Sequence, residues 1–331
     1  METILHNPAG DTAKSTLDSC LCAIPTPMGG LALGIASLGW CWENFMPAGG
    51  MFQLTGAALA GVLLLALLLK FIHAPQLLRQ DLAHPVVGSV VPTMAMALMV
   101  VAKAISLFSL PLALTVWLSA IVLHLVFLTS FVWHRARDFR LHHMVPSWFV
   151  PPVGIIVAAV SFPGGSLLWL AQALIAFGLA CYLVMLPVMI YRLVFASEVP
   201  DQAKPTLAIL AAPASLGLAG YLTVVQQPSF LLVGLLAGIA VLMTSVIYLF
   251  FLRLMRLPFS PAYAAFTFPM VIGATALYKL SAQLGVWGLA NKYVAQVHAL
   301  ADFELWVAAL VVGYVSWKFL RHYLLARLLG R

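Results

Sequence analysis

Charge is what this chain has least of. Only 8% of its 331 residues are Asp, Glu, Lys or Arg, and 63% are hydrophobic. With a mean hydropathy of +1.04, that balance excludes an ordinary soluble domain and identifies an integral membrane protein. Cysteine is scarce too: Cys20, Cys22, Cys41 and Cys181. No second cysteine pair or histidine pair accompanies Cys20 and Cys22, so no metal site is expected. The loop HRARDFRLHH, with His134, His142 and His143, lacks a regular i, i+4 pair. No nucleophile elbow, phosphate-cradling loop or metalloprotease motif occurs, so no catalytic residue and no cofactor are expected, and the chain does not read as an enzyme. Carboxylates are missing from the middle of every predicted span; Glu43, Asp81, Asp138, Glu198, Asp201, Asp302 and Glu304 fall at ends or in loops. Buried acids are the usual carriers of proton or sodium coupling. Their absence argues against a tightly coupled transporter and against a cation pathway.

What is present is a series of long apolar runs. Ten helices are predicted, at about 27–42, 51–71, 85–105, 111–133, 146–160, 167–191, 205–225, 229–254, 259–282 and 303–324. Residues 1–24 are polar and irregular and read as a mobile cytoplasmic tail without the pattern of a cleaved signal peptide. Residues 25–325 form the transmembrane domain, and 326–331 a short basic cytoplasmic end. Fourteen of the 17 lysines and arginines fall in one alternating set of loops and ends; only Lys103, Lys279 and Lys292 fall in the other. By the positive-inside rule both termini are cytoplasmic and the span number is even. The expected location is the cytoplasmic (inner) membrane. The net charge of +7 follows this topology and is not a nucleic-acid signature.

Prolines punctuate the runs at regular intervals. Pro27, Pro92, Pro152, Pro213 and Pro269 are spaced by 65, 60, 61 and 56 residues, and small residues follow each one. A period of about 60 residues is two membrane spans plus connections. The chain therefore reads as five quasi-repeated helical hairpins in which every odd-numbered helix carries a proline break. Proline removes a backbone donor and clashes one turn back, and in a membrane such a break is tolerated only inside protein or beside water. Five equivalent broken helices suggest an all-α fold with an inner ring of proline-kinked helices around a central pore. The leucine-rich even-numbered helices would form an outer ring. All five broken helices run the same way, unlike the halves of inverted-repeat transporters.

The candidate pore residues follow from this arrangement. Gly30, Val91, Gly154, Ala214 and Phe266 are expected to line it beside the breaks. Phe266 and Phe268 point roughly 200° apart on a helix, so at most one faces the axis squarely; that one would be a hydrophobic plug. Lys103 and Lys279 end the third and ninth helices on the outer side. They either attract anions to the mouth or snorkel to headgroups. His124, mid-span in the fourth helix, reads as a hydrogen-bonding contact across a helix interface rather than a proton relay.

Five ordered segments carry a resemblance: IPTPMGGLALGIASLGW from Ile24, HPVVGSVVPTM from His84, VPSWFVPPVG from Val145, LAAPASLGLAG from Leu210 and PFSPAYAAFTFPM from Pro258. Together they resemble the tellurite-resistance/dicarboxylate transporter family of bacterial tellurite-resistance proteins, fungal malate permeases and plant slow anion channels. The resemblance spans Ile24 to about Leu324. It implies a homotrimer in which each subunit has its own pore of five proline-kinked helices. It also implies a gating phenylalanine, which the TFP match places at Phe268. Val91 stands where several relatives carry a bulkier phenylalanine, and some bacterial members have glycine in place of Pro269. The plant members' phosphorylation control is not carried over. The expected function is an anion channel or transporter; the alternative is a proton-coupled carrier exporting C4-dicarboxylates such as malate, or a toxic oxyanion such as tellurite. Expected partners are small anions, the bilayer and two further copies of the chain.

Overall fold

The computed structural model describes residues 21–325. The expected N-terminal tail, apart from residues 21–24, and the basic C-terminal end lie outside the described residues. Within them the chain is helical, with no β-strand. In order, the α-helices are α1 (Met28–Phe45), α2 (Met51–His73), α3 (Pro75–Ala83), α4 (Val87–Val90), α5 (Thr93–Ile105), α6 (Leu110–Arg137), α7 (Val150–Val153), α8 (Val157–Val160), α9 (Leu168–Phe195), α10 (Ala212–Val224), α11 (Phe230–Met255), α12 (Thr267–Val286) and α13 (Asn291–Phe319). Eight segments are long and apolar enough to cross a membrane; Pro146–Val160 is a shorter apolar one, and α1 has 18 residues.

The helices sort into two layers by burial. The segments Val87–Ile105, Lys204–Val224 and Pro261–Val286 are 72–89% buried, whereas α2, α6, α9, α11 and Asn291–Tyr323 are 28–39% buried. The plain leucine-rich helices present their apolar surface outward, as lipid-facing helices do. The buried helices touch in a closed circuit, α1 on α5, α5 on α8, α8 on α10, α10 on α12 and α12 back on α1. Sequential hairpins such as α1–α2, α5–α6 and α12–α13 tie the two layers together.

Four of the five prolines stand at helix starts, and Pro152 in a single short turn, rather than as bends inside long uniform helices. Pro27 and Pro92 directly precede the first residues of α1 and α5. Pro213 and Pro269 stand in the first turns of α10 and α12, after 3-10 segments at Lys204–Ala211 and Pro261–Phe266. The first turn is where a missing N–H costs nothing, because that donor has no partner within the helix. Pro152 lies in α7, between the 3-10 segments Pro146–Phe149 and Gly154–Ile156. This third buried segment is the most irregular, and α6 supplies donors to its carbonyls: His124 Nε2 lies 2.7 Å from Pro151 O and Trp117 Nε1 donates to Ala158 O at 3.0 Å. His124 thus bridges helices, the role read for it from the sequence.

Three features depart from the sequence reading. The short helix α3 was not expected; proline at its first position starts it. Pro187 lies inside the continuous helix α9, a mid-helix proline outside the five-fold series. The last helix begins at Asn291, not near residue 303. Glu304 is therefore well inside a helix and only 5% exposed, so the expectation that no carboxylate lies within a span is corrected. The stretch from Asn291 is polar enough to resemble a loop, but contacts with α12 hold it helical: Tyr278 donates to Asp302 at 2.6 Å and Ser281 to the Val294 carbonyl at 3.1 Å. Glu43 does end its helix. It accepts from the backbone N–H groups of Ala48, Gly50 and Phe52 at 2.9–3.1 Å and so closes the first hairpin turn.

Candidate functional site

The circuit of buried helices encloses a cavity of about 1110 Å³. Exposed His84, Asp201 and Gln202 line it, so it opens at the end of the molecule where the buried helices begin. It stops a short way into each buried segment. The deepest lining residues are Leu33, Met96, Gly154, Leu216 and Pro269, each within about two turns of its helix's proline. Phe268 lines the cavity at this level and is 8% exposed.

Phe266 does not line it. Its ring is fully buried, 5.5 Å from Phe251 of α11 and 5.1 Å from Tyr263. Of the two aromatic rings, Phe266 anchors α12 to the outer layer and Phe268 faces the cavity. Close approach of α1 holds Phe268 there. Thr267 donates to Gly30 O at 3.1 Å, and a Cβ on Gly34 would lie 2.4 Å from Thr267 Oγ1, so α1 can pack this tightly only because residue 34 is glycine.

Pro27, Gly30, Gly154, Pro213, Phe268 and Pro269 all line the one cavity. Val91, Ala214, Pro92 and Pro152 do not. Val91 points into a separate apolar cluster with Leu67, Phe71 and Phe127, while Val90 and Thr93 take the lining positions. Ala214 is fully buried between Pro213 and Leu216, which face inward. Lys103 and Lys279 lie at the opposite end, half-buried near the C-termini of α5 and α12. Lys103 Nζ donates to Phe162 O at 3.2 Å.

The cavity mouth holds a polar cluster that the sequence reading counted only for topology. Lys70, 5% exposed, donates to Ile24 O at 2.8 Å and to Thr26 Oγ1 at 3.0 Å, and lies 3.8 Å from Asp81. Thr26 in turn donates to Asp81. Lys70, Thr26 and Asp81 all line the cavity. A lysine in the last turn of an apolar helix, with an aspartate 11 residues on, was the available signal.

Electrostatically, α1, α5, α10 and α12 all begin at the cavity wall, which places the positive ends of their dipoles in that wall, just on the mouth side of the floor. The floor is apolar, made by Phe268, Leu33, Met96 and Leu216. An apolar constriction under convergent positive dipoles can hold back water and ions when closed and favour anions when open.

Residues 24–315 match the family described as SLAC1, voltage-dependent anion channel. Two uncharacterized transporters of Methanocaldococcus jannaschii are similar to the chain. One is 25% identical over 63% of this chain and 68% of its own length; the other is 26% identical over 82% and 86%. The match takes in the cavity, its floor and both layers of helices, and the chain belongs to the SLAC1 voltage-dependent anion channel family.

Proposed function

We propose that this protein passes small inorganic or organic anions across the cytoplasmic membrane through the enclosed cavity, and that Phe268 occludes the path. The carrying observation is that the cavity's lining stops at Phe268 and Pro269 on α12 and within about two turns of a proline on the other buried segments. The closed circuit of helix contacts and the burial contrast between layers support ten spans in five hairpins, with the proline-bearing helices innermost. The charge asymmetry of the loops supports cytoplasmic termini, which makes the cavity the cytoplasmic vestibule. Each subunit of the implied homotrimer would carry its own pathway. Reconstituted in liposomes, the protein should dissipate chloride or nitrate gradients while leaving a sodium gradient intact; sodium release at a comparable rate would reject anion transport.

Lys103 and Lys279 are read as the outer attractor for anions. Replacing both with glutamine should lower anion flux severalfold at about 10 mM salt, where the screening length is about 30 Å, and hardly at all at about 1 M. Equal flux at both salt levels would reduce them to interface anchors.

The buried Glu304 gives one specific observation to a second reading, a proton-coupled carrier of C4-dicarboxylates or of an oxyanion such as tellurite.

A further inference from the structure

Glu304 has an environment that packing alone does not explain. It lies inside α13, 5% exposed, and none of the ion pairs among the described residues includes it. Its Oε2 rests against the backbone of Gly273 so closely that a Cβ there would be 2.5 Å away. Gly273 is four residues, about one turn, beyond Pro269 on the helix that carries Phe268. A void of about 10 Å³ adjoins the carboxyl, lined by Ser215, Thr244 and Gly273 among others, and that is about the space of one water.

The groups facing Glu304 from the packed helices carry no positive charge. Cys41 of α1 and Tyr248 of α11 interact with it electrostatically, Thr275 of α12 bonds Cys41, and Tyr248's hydroxyl is buried without a hydrogen-bond partner. On its own helix, Asp302 is taken up by Tyr278 and by His298 at 3.8 Å. An ionised carboxylate in such a place would be an uncompensated buried charge, and such groups are neutralised or find a partner.

We propose that Glu304 is a proton-binding site seated against the gate helix, and that its ionisation drives α12 and α13 out of the closed arrangement. This rests on the anion-pathway reading above. The closed form buries the carboxyl against Gly273, so the neutral acid fits it and the anion does not. Losing the proton shifts the population toward any arrangement that hydrates Glu304, and Phe268 moves with the helix. Anion flux therefore rises with pH.

Two measurements on the full-length protein test this. Dicyclohexylcarbodiimide, which attacks protonated carboxyls from the membrane, should label Glu304 at low pH and progressively less as pH rises, as read by peptide mass spectrometry. In liposomes, chloride flux should rise by about fivefold or more across the same range. Glu304→Gln should hold flux at the low-pH level throughout, and Phe268→Ala should make flux high and insensitive to pH. If the glutamine variant does not fold, Glu304→Asp should shift the midpoint of the wild-type profile. An unchanged profile in the folded variant, pH-independent labelling, or sodium rather than proton dependence of flux overturns the proposal. Absence of flux from both wild type and Phe268→Ala would overturn the pathway reading instead, and labelling would still decide whether Glu304 takes up a proton.

Discussion

Phe268→Ala should turn a nearly silent protein into an open anion conductor. The ring closes the cavity floor with Leu33, Met96 and Leu216, and truncation removes the largest of these side chains without adding a polar group. A gate closed 99% of the time leaves about a hundredfold of conductance to recover; an increase of about tenfold to a hundredfold at neutral pH is therefore expected in planar bilayers. Phe266→Ala is the matched control. Its ring packs on Phe251 and Tyr263 outside the cavity, so its loss should lower thermal stability by about 3–5 kcal/mol with little gain in current. Equal currents from the two variants would contradict the assignment of roles.

Gly39→Val should be the most disruptive single change in the first hairpin. A Cβ at Gly39 would lie 2.4 Å from the Phe52 carbonyl oxygen and 2.9 Å from Gly56 Cα, and Gly56 reciprocates at 2.8 Å from Ile35 O. These are backbone atoms, which cannot rotate away, so α1 and α2 must separate. Overpacking of this kind costs about 1–3 kcal/mol, which for a chain of this size lowers the melting midpoint by roughly 1–4 °C. Because α1 also seats Thr267 through Gly30 and Gly34, resting current should rise as the gate helix loses its support. Gly61→Ala on α2 meets nothing within 4 Å and should leave the midpoint unchanged. A Gly39→Val protein as stable as wild type in detergent would mean that the two helices do not pack this way.

Much of this was legible in the residues. Sparse charge identified a membrane protein, and Pro92, Pro213 and Pro269 fall in or beside the three long segments that are most buried. The facing of side chains beside the breaks was less accessible. A 3-10 residue advances about 120° around the axis against about 100° for an α residue, so helical phase cannot be carried across a segment that switches type. That is why Phe266 and Phe268 could be separated only by their packing; at Val91 the chain turns between α4 and α5, and Val90 and Thr93 take the lining positions. Glu304 escaped for another reason. Hydropathy places a span by its apolar stretch, whereas α13 is prolonged by tertiary bonds from Tyr278 and Ser281, and those partners are distant in sequence. Lys70 was visible as a charge but not as a member of the cavity mouth, since Thr26 and Asp81 reach it through the fold.

The most direct measurement is the reversal potential of Phe268→Ala currents in a planar bilayer under a tenfold potassium chloride gradient, which corresponds to about 59 mV for a monovalent ion. The expected reversal potential is close to the chloride equilibrium value, with a conductance well above that of wild type. Reversal near the potassium value, or no current from the variant alongside proton-dependent malate uptake in vesicles, would contradict that expectation.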